Sequence, residues 1–170
     1  MSRQSLTYMF ASIAGDAIKT GTRLFEQRIG LDVYHVRILR LIDDQPDITF
    51  TQLANQTRLE RSATSRSLQR LIKAGLVERT NDAGDARQFH LVATAKGRSL
   101  RRKSDPLTEE MESLMLQALN GGERETFLVC LDKIALWVND GYRDAVSRRF
   151  PEVDQMLTPR KAKQESARDS

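Results

Sequence analysis

Residues 61–73 read Arg-Ser-Ala-Thr-Ser-Arg-Ser-Leu-Gln-Arg-Leu-Ile-Lys, mixing hydroxyl, amide and guanidinium groups with a few aliphatic side chains. Wound into a helix, Leu68, Leu71 and Ile72 form an inward stripe, and Ser62, Thr64, Ser65, Arg66, Gln69 and Arg70 are left facing outward. That outward set suits nucleic acid. Arginine can donate to two acceptors of guanine, glutamine can make a two-point contact with adenine, and short hydroxyl side chains permit close approach to base edges and phosphates. An ordinary solvated helix face gains nothing from serine, which has no propensity advantage there. Thr64, Ser65 and Arg66 are therefore expected to read bases, with Ser62, Gln69 and Arg70 sharing base and phosphate contacts. A second group follows at Asp85-Ala86-Arg87, just past Gly84. An arginine at a hairpin tip can enter the narrow, electronegative minor groove. Asp85 would repel phosphate unless it orients a neighbouring arginine. A surface Asp85–Arg87 pair of little energetic consequence is the plainer reading of these two residues.

The elements that must position these groups are legible from apolar spacing. Leu6, Met9, Phe10, Ile13, Ala17, Ile18, Leu24 and Phe25 predict a helix over 5–28, with Gly30 as its stop. Asp32 is placed to cap a second helix whose buried face is Val33, Val36, Ile38, Leu39, Leu41 and Ile42. A turn over 43–47 and a short β-prone segment, 48–50, lead to Thr51, expected to cap a third helix. The helix from Arg61 ends at Gly75, where a left-handed backbone is tolerated. Residues 76–80 and 88–92 read as paired strands around the turn-rich stretch 81–85. A polar helix with an apolar stripe, Leu100 to Leu119, is expected over 95–120, with Pro106 as a possible kink and Gly121-Gly122 as its break. A last long helix is expected over 123–146, with Phe127, Leu128, Leu131, Ile134 and Val138 on its buried side. The end of the tail, from Thr158, reads as disordered. The fold class is mainly α with a small β-wing: two short helices joined by a tight turn and followed at once by a hairpin, a winged helix-turn-helix flanked by long helices.

Charge is distributed to match. The 170-residue chain carries a net charge of +4, but the stretch 51–105 holds twelve Lys and Arg against five Asp and Glu. Such a segment can neutralise phosphates and release counterions; charge alone would equally describe a solvated basic face. Several function classes are disfavoured. The two histidines, His35 and His90, and one cysteine, Cys130, make no metal-ligand cluster, and no glycine-rich loop follows a strand. Neither catalysis, a metal nor a cofactor is expected. A single cysteine suits a reducing cytoplasm, no apolar run is long enough to span a membrane, and no secretory leader is expected at the N-terminus. Cys130 lies among apolar residues, where free cysteines are commonly buried and inert.

The run from Phe50-Thr51-Gln52-Leu53-Ala54, through Arg61–Lys73, to Gly75-Leu76-Val77-Glu78-Arg79, Asp85-Ala86-Arg87 and Ala93-Thr94-Ala95-Lys96-Gly97 resembles the MarR family of bacterial regulators. The resemblance is close in the winged core and extends in helix order over about 5–148. Two positions depart from the family pattern: Ala86 stands where a second basic residue is usual, and Ala93 where leucine is usual. The resemblance implies a triangular homodimer. In it, 1–30 is an N-terminal dimerisation helix, 31–97 the DNA-binding lobe, 98–150 the C-terminal dimerisation helices and 151–170 a tail. Two recognition helices about one DNA turn apart would then read a palindromic operator in double-stranded DNA. Typical relatives repress by occluding promoters, and many respond to small aromatic or phenolic acids held between the dimerisation helices and the lobe. For such an effector the candidate residues are Tyr8, Ser12, Tyr34, His35 and Arg37; the plainer reading is that Tyr34 and His35 pack at a helix interface. A winged-helix protein-interaction module is the alternative function, and the basic excess argues against it.

Overall fold

The structure, a computed structural model, describes residues 5–81 and 89–152. The wing residues Asp85 and Arg87, and the tail end, lie outside the described residues. The chain forms two compact units, one ending at Met115 and the other beginning at Leu116.

In the first unit, α1 (Leu6–Ile29) starts at Ser5, whose hydroxyl accepts from the Tyr8 amide, and ends at Gly30 with φ +74°. α2 (Val33–Asp44) is capped by Asp32, so its start falls where the sequence predicts, and its end runs two residues, Asp43 and Asp44, into the expected turn. β1 (Ile48–Thr49) leads into α3 (Phe50–Thr57). The cap of α3 is Thr49, two residues before the expected Thr51: Thr49 accepts from the Gln52 amide while Gln52 reaches back to the Thr49 amide. This reciprocal box satisfies two otherwise orphaned donors, which a start at Thr51 could not do with Ala54 in the reciprocating position. α4 (Arg61–Lys73) stops at Ala74–Gly75, with Gly75 at φ +68°. β2 (Val77–Asn81) and β3 (Phe89–Ala93) pair antiparallel, and β1 adds to the free edge of β3, giving the order β1-β3-β2. α5 (Ala95–Met115) follows directly and carries Pro106 within its span.

The core sits where α2, α3 and α4 pack on the inner face of this sheet. Ile38, Leu39 and Ile42 from α2, Leu53 from α3, Leu68 and Leu71 from α4, and Leu91 from β3 are all essentially inaccessible. Burying each such side chain contributes ~1.5–3 kcal/mol, enough to hold two short helices that would be marginal alone. Gly97 locks α5 beneath the sheet: a Cβ there would overlap the Leu76 carbonyl oxygen, which the Thr94 amide already uses at 3.0 Å. A charged clasp joins α2 to α5. Asp105 accepts from Arg40 at 2.9 Å and from Arg101 at 3.0 Å, and Arg101 also reaches Asp44 at 2.9 Å.

The second unit departs from expectation. Gly121-Gly122 opens a helix where the sequence suggested only a break: α6 (Gly121–Asp140) begins at Asn120, which forms a reciprocal box with Glu123. Glycine is acceptable in a first turn whose donors are satisfied by a cap. The expected single helix over 123–146 is two, because Gly141 ends α6 and α7 (Tyr142–Arg149) begins after it. No residue of α6 is buried within the chain; Phe127, Leu128, Ile134 and Val138 are all exposed, not inward as the stripe suggested. Cys130 is exposed as well, against the expectation of a buried thiol.

Candidate nucleic-acid interface

The helix–turn–helix is held by its interior. Arg58 ends α3 in the left-handed region (φ 57°), turning the chain so that α4 crosses over α3. Between the two helices Thr57 and Thr64 lie 1% and 0% exposed, with their hydroxyl oxygens 3.0 Å apart. The Thr57 hydroxyl also reaches the Ala54 carbonyl at 3.2 Å, and the Thr64 hydroxyl the Glu60 carbonyl at 3.3 Å. Thr64 is therefore not a base reader: its side chain is committed to the α3–α4 contact. The signal was present in the sequence, since Thr64, Leu68 and Leu71 recur at the four- and three-residue steps of an inward stripe.

With Leu68 and Leu71 seated in the core, Ser62, Arg66, Gln69 and Arg70 are exposed and Ser65 is half-buried at the edge. Ser62, Arg66, Gln69 and Lys73 fall on one line down the helix, so the exposed stripe extends to Lys73, which the sequence reading had not included. Other basic residues of the stretch are used internally. Lys96 donates to the Ala74 carbonyl at 2.9 Å, Arg98 to the Ala93 carbonyl, and Arg101 belongs to the α2–α5 clasp. Among the described residues, the exposed basic side chains of the stretch include Arg61, Arg66, Arg70 and Lys73 on α4, Arg79 on β2, and Arg102 and Lys103 on α5. Arg61, at the first position of α4, lies over the Phe50 ring at 4.8 Å, and Arg79, on β2, lies over the Phe89 ring at 4.4 Å.

A residue pattern of this kind, on a two-helix turn backed by a three-stranded wing, belongs with known regulators. The MarR family model matches residues 29–88, which include α2, β1, α3, α4 and β2. The HTH-type transcriptional regulator FarR of Neisseria gonorrhoeae is 30% identical over 122 residues, which span 72% of this chain and 82% of FarR. The chain belongs to the MarR family. Solved structures agree in fold: the S. aureus MepR–DNA complex matches 78% of this chain and 98% of MepR with a TM-score of 0.69 at 21% identity. Bordetella bronchiseptica BpsR matches 79% of this chain and 96% of its own with a TM-score of 0.71 at 17% identity. Like them, this MarR-family transcriptional regulator is mainly helical with a small antiparallel wing.

The MarR fold here includes an apolar groove of about 910 Å³ in the first unit, floored by Phe25, Val36 and Met111 and flanked by α1, α2 and α5. Of the five expected effector residues only Arg37 lines it. Tyr8 and Ser12 are exposed on α1 outside the lining, and Tyr34 is half-buried elsewhere on α2. His35 is buried and committed to Asp32, whose carboxylate takes the His35 backbone amide at 2.8 Å and lies 2.6 Å from its ring Nδ1. Helical spacing explains the outcome: His35 shares the inward stripe of α2 with Ile38, Leu39 and Ile42, whereas Arg37 and Arg40 flank it. Arg40 also lines the groove, but its guanidinium is held by Asp105 and Thr108. Among the described residues Arg37 has no partner, so it is the cation available to a ligand. Among the described residues no group of three or more metal-ligating side chains occurs, and no helix is long and apolar enough to cross a membrane.

Proposed function

We propose that this MarR-family regulator binds double-stranded DNA as a homodimer, reads a palindromic operator through α4, and represses transcription until a small aromatic acid enters the α1–α2–α5 groove. The observation that carries the reading is the exposed line Ser62, Arg66, Gln69 and Lys73, presented by a helix whose opposite side is fixed in the core. Arg66 and Gln69 are the base readers, with Ser62, Ser65 and Arg70 as neighbouring base or phosphate contacts. Arg87, oriented by Asp85, is assigned to the minor groove. MepR is known in a complex with DNA, and DNA binding by BpsR is regulated by 6-hydroxynicotinic acid.

The homodimer draws support from two separate exposed apolar surfaces: Leu6, Tyr8, Met9 and Ile13 on α1, and Phe127, Ile134, Trp137 and Val138 on α6. Monomers rarely leave such surfaces in water. The N-terminal helix, 1–30, and the helices of 98–150 are accordingly assigned to dimerisation, and 31–97 to DNA binding. An aromatic carboxylate suits the groove because apolar walls bury the ring while Arg37 supplies a charge-assisted contact at the rim. A ligand preferring one spacing of the two recognition helices would shift the dimer toward it. No catalytic step enters this function, and its place is the cytoplasm, with the DNA it regulates. The test is Arg66→Ala with Arg87→Ala. Affinity for DNA falls while the mass of the dimer in solution is unchanged; loss of both together would point instead to a lobe that mediates protein contacts.

A further inference from the structure

Arg61 and Arg79, two of the three arginines that lie over a phenylalanine ring among the described residues, have a feature in common that their exposure alone would not reveal. Phe50 and Phe89 are each half-buried and pack against the hydrophobic core, so neither ring is free to swing. Arg61 and Arg79 are exposed, yet their guanidinium groups rest on these fixed rings at 4.8 Å and 4.4 Å. Among the described residues neither arginine has a carboxylate within ion-pair distance. Their neighbours Glu60 and Glu78 do not pair with them; Glu78 occupies the next position of β2 and so points to the opposite face of the sheet.

The register places Arg79 on a particular side. Arg79 pairs with Leu91, which is fully buried, and Asn81 pairs with Phe89. Val77, Arg79, Leu91 and Phe89 thus share the inner face of the sheet, the face that packs on the helices. Beyond the end of the core that face continues as Arg79 over Phe89. Arg61 stands at the first turn of α4, beside the start of α3. One stacked arginine therefore belongs to the sheet and the other to the start of the exposed helix.

A guanidinium held over a ring has one side covered by it and keeps N–H groups free to donate. It loses less side-chain entropy when those groups meet an anion, because its orientation is already restricted. An unpaired cation held this way suits an acceptor that recurs along a surface without regard to sequence, and the oxygens of a phosphodiester backbone are that acceptor. We infer that Arg61 and Arg79, each pre-ordered by its phenylalanine, clamp the DNA backbone beside the segment read by α4, and that Phe50 and Phe89 act as positioning residues for them. This inference rests on the DNA-binding reading above and adds to it the sequence-independent part of the affinity.

The probes are two labelled duplexes of about 30 base pairs, long enough for two half-sites one turn apart: one selected by the chain from a random pool, and one of scrambled sequence. Affinities of the full-length chain and its variants are measured across a salt series. Arg61→Ala and Arg79→Ala should each weaken binding to both duplexes by a similar factor, roughly tenfold, leaving the preference between them unchanged. Each should also reduce the steepness of the salt dependence by about two counterions per bound dimer, one from each subunit. Arg79→Lys and Arg61→Lys keep the charge and so the salt dependence, but should lose several-fold in affinity because an ammonium neither stacks flat nor presents a fixed fork. Phe50→Leu and Phe89→Leu remove the ring under each arginine and should likewise weaken binding to both duplexes several-fold with the salt dependence kept, and the lysine variants keep the test sound if either proves unstable. Variants that bind both duplexes within twofold of the parent overturn the inference and leave the DNA-binding reading standing. A loss confined to the selected duplex overturns it in favour of base reading. Failure of the parent chain to bind either duplex at low salt removes the DNA-binding reading, and the inference with it.

Discussion

Replacing Thr64 with valine removes one hydroxyl from a site where two face each other in the dark of the α3–α4 contact. Thr57 and Thr64 are 1% and 0% exposed, and no solvent can compensate the loss. The two hydroxyls have two protons to place among each other and the carbonyls of Ala54 and Glu60, at 3.0, 3.2 and 3.3 Å. Thr64→Val deletes the cross-pair bond and the bond to Glu60 while keeping the shape. The Thr57 hydroxyl can still turn to Ala54. A net intramolecular hydrogen bond contributes ~0.5–1.5 kcal/mol, so the variant should be destabilised by about 1–2 kcal/mol. Thr57→Val should cost a similar amount. The double variant should cost less than the sum, by about 1 kcal/mol, because each single variant already loses the one bond the two hydroxyls share. Urea denaturation at fixed protein concentration measures all three, the concentration being held because a dimer's stability depends on it. DNA affinity, measured where each variant is fully folded, should stay within about twofold of the parent, whereas Arg66→Ala should lose ~1–3 kcal/mol through a lost base contact. If Thr64→Val is as stable as the parent and binds DNA tenfold less well, the reasoning is wrong and Thr64 touches the operator.

Further outcomes follow from the same geometry. Gly97→Ala should destabilise the lobe by about 3 kcal/mol, since its Cβ meets the Leu76 carbonyl and Leu39 rather than a movable side-chain tip; a thermal melt within 2 °C of the parent would contradict this. Asp105→Asn removes the carboxylate shared by Arg40 and Arg101 in a partly buried clasp, so stability should fall by about 1 kcal/mol and the difference should shrink in high salt. Arg37→Ala should weaken binding of a hydroxybenzoate in the groove by roughly tenfold, while the matching neutral amide binds both proteins alike; calorimetry that shows no difference for the acid would remove Arg37 from the site.

Much of this was written locally in the chain. Asp32 before Val33 is a start signal and Gly75, two residues after Lys73, a stop signal, both read from nearby residues alone; the structure caps α2 with Asp32 and ends α4 at Ala74, with Gly75 following at φ +68°. The period of three and four in 33–42 likewise marked the face that α2 buries. The differences arise where a residue's partner is distant or reciprocal. Thr49 wins the α3 cap over Thr51 because Gln52 answers it, and Asn120 starts α6 across two glycines because Glu123 answers it. Each box needs two residues to be weighed together. Thr64 looked like a surface hydroxyl by type, although its position on the Leu68–Leu71 stripe marked it as inward. Arg61 and Arg79 were hidden for a different reason: their rings, Phe50 and Phe89, lie 11 and 10 positions away and meet them only once α3, α4 and the strand register are in place. His35 and Arg37 illustrate the same limit within one helix, two positions apart, one facing the core and the other the groove.

The central claim is that this chain is a sequence-selective DNA-binding dimer, and its most direct test is a binding titration on DNA from upstream of its own gene. A scrambled duplex serves as competitor, and the titration is repeated across a salt series. One dimer should bind the upstream duplex tightly, resist the scrambled competitor, and weaken steeply as salt rises, because displaced counterions drive part of the affinity. Absence of binding to either duplex at low salt would contradict the claim.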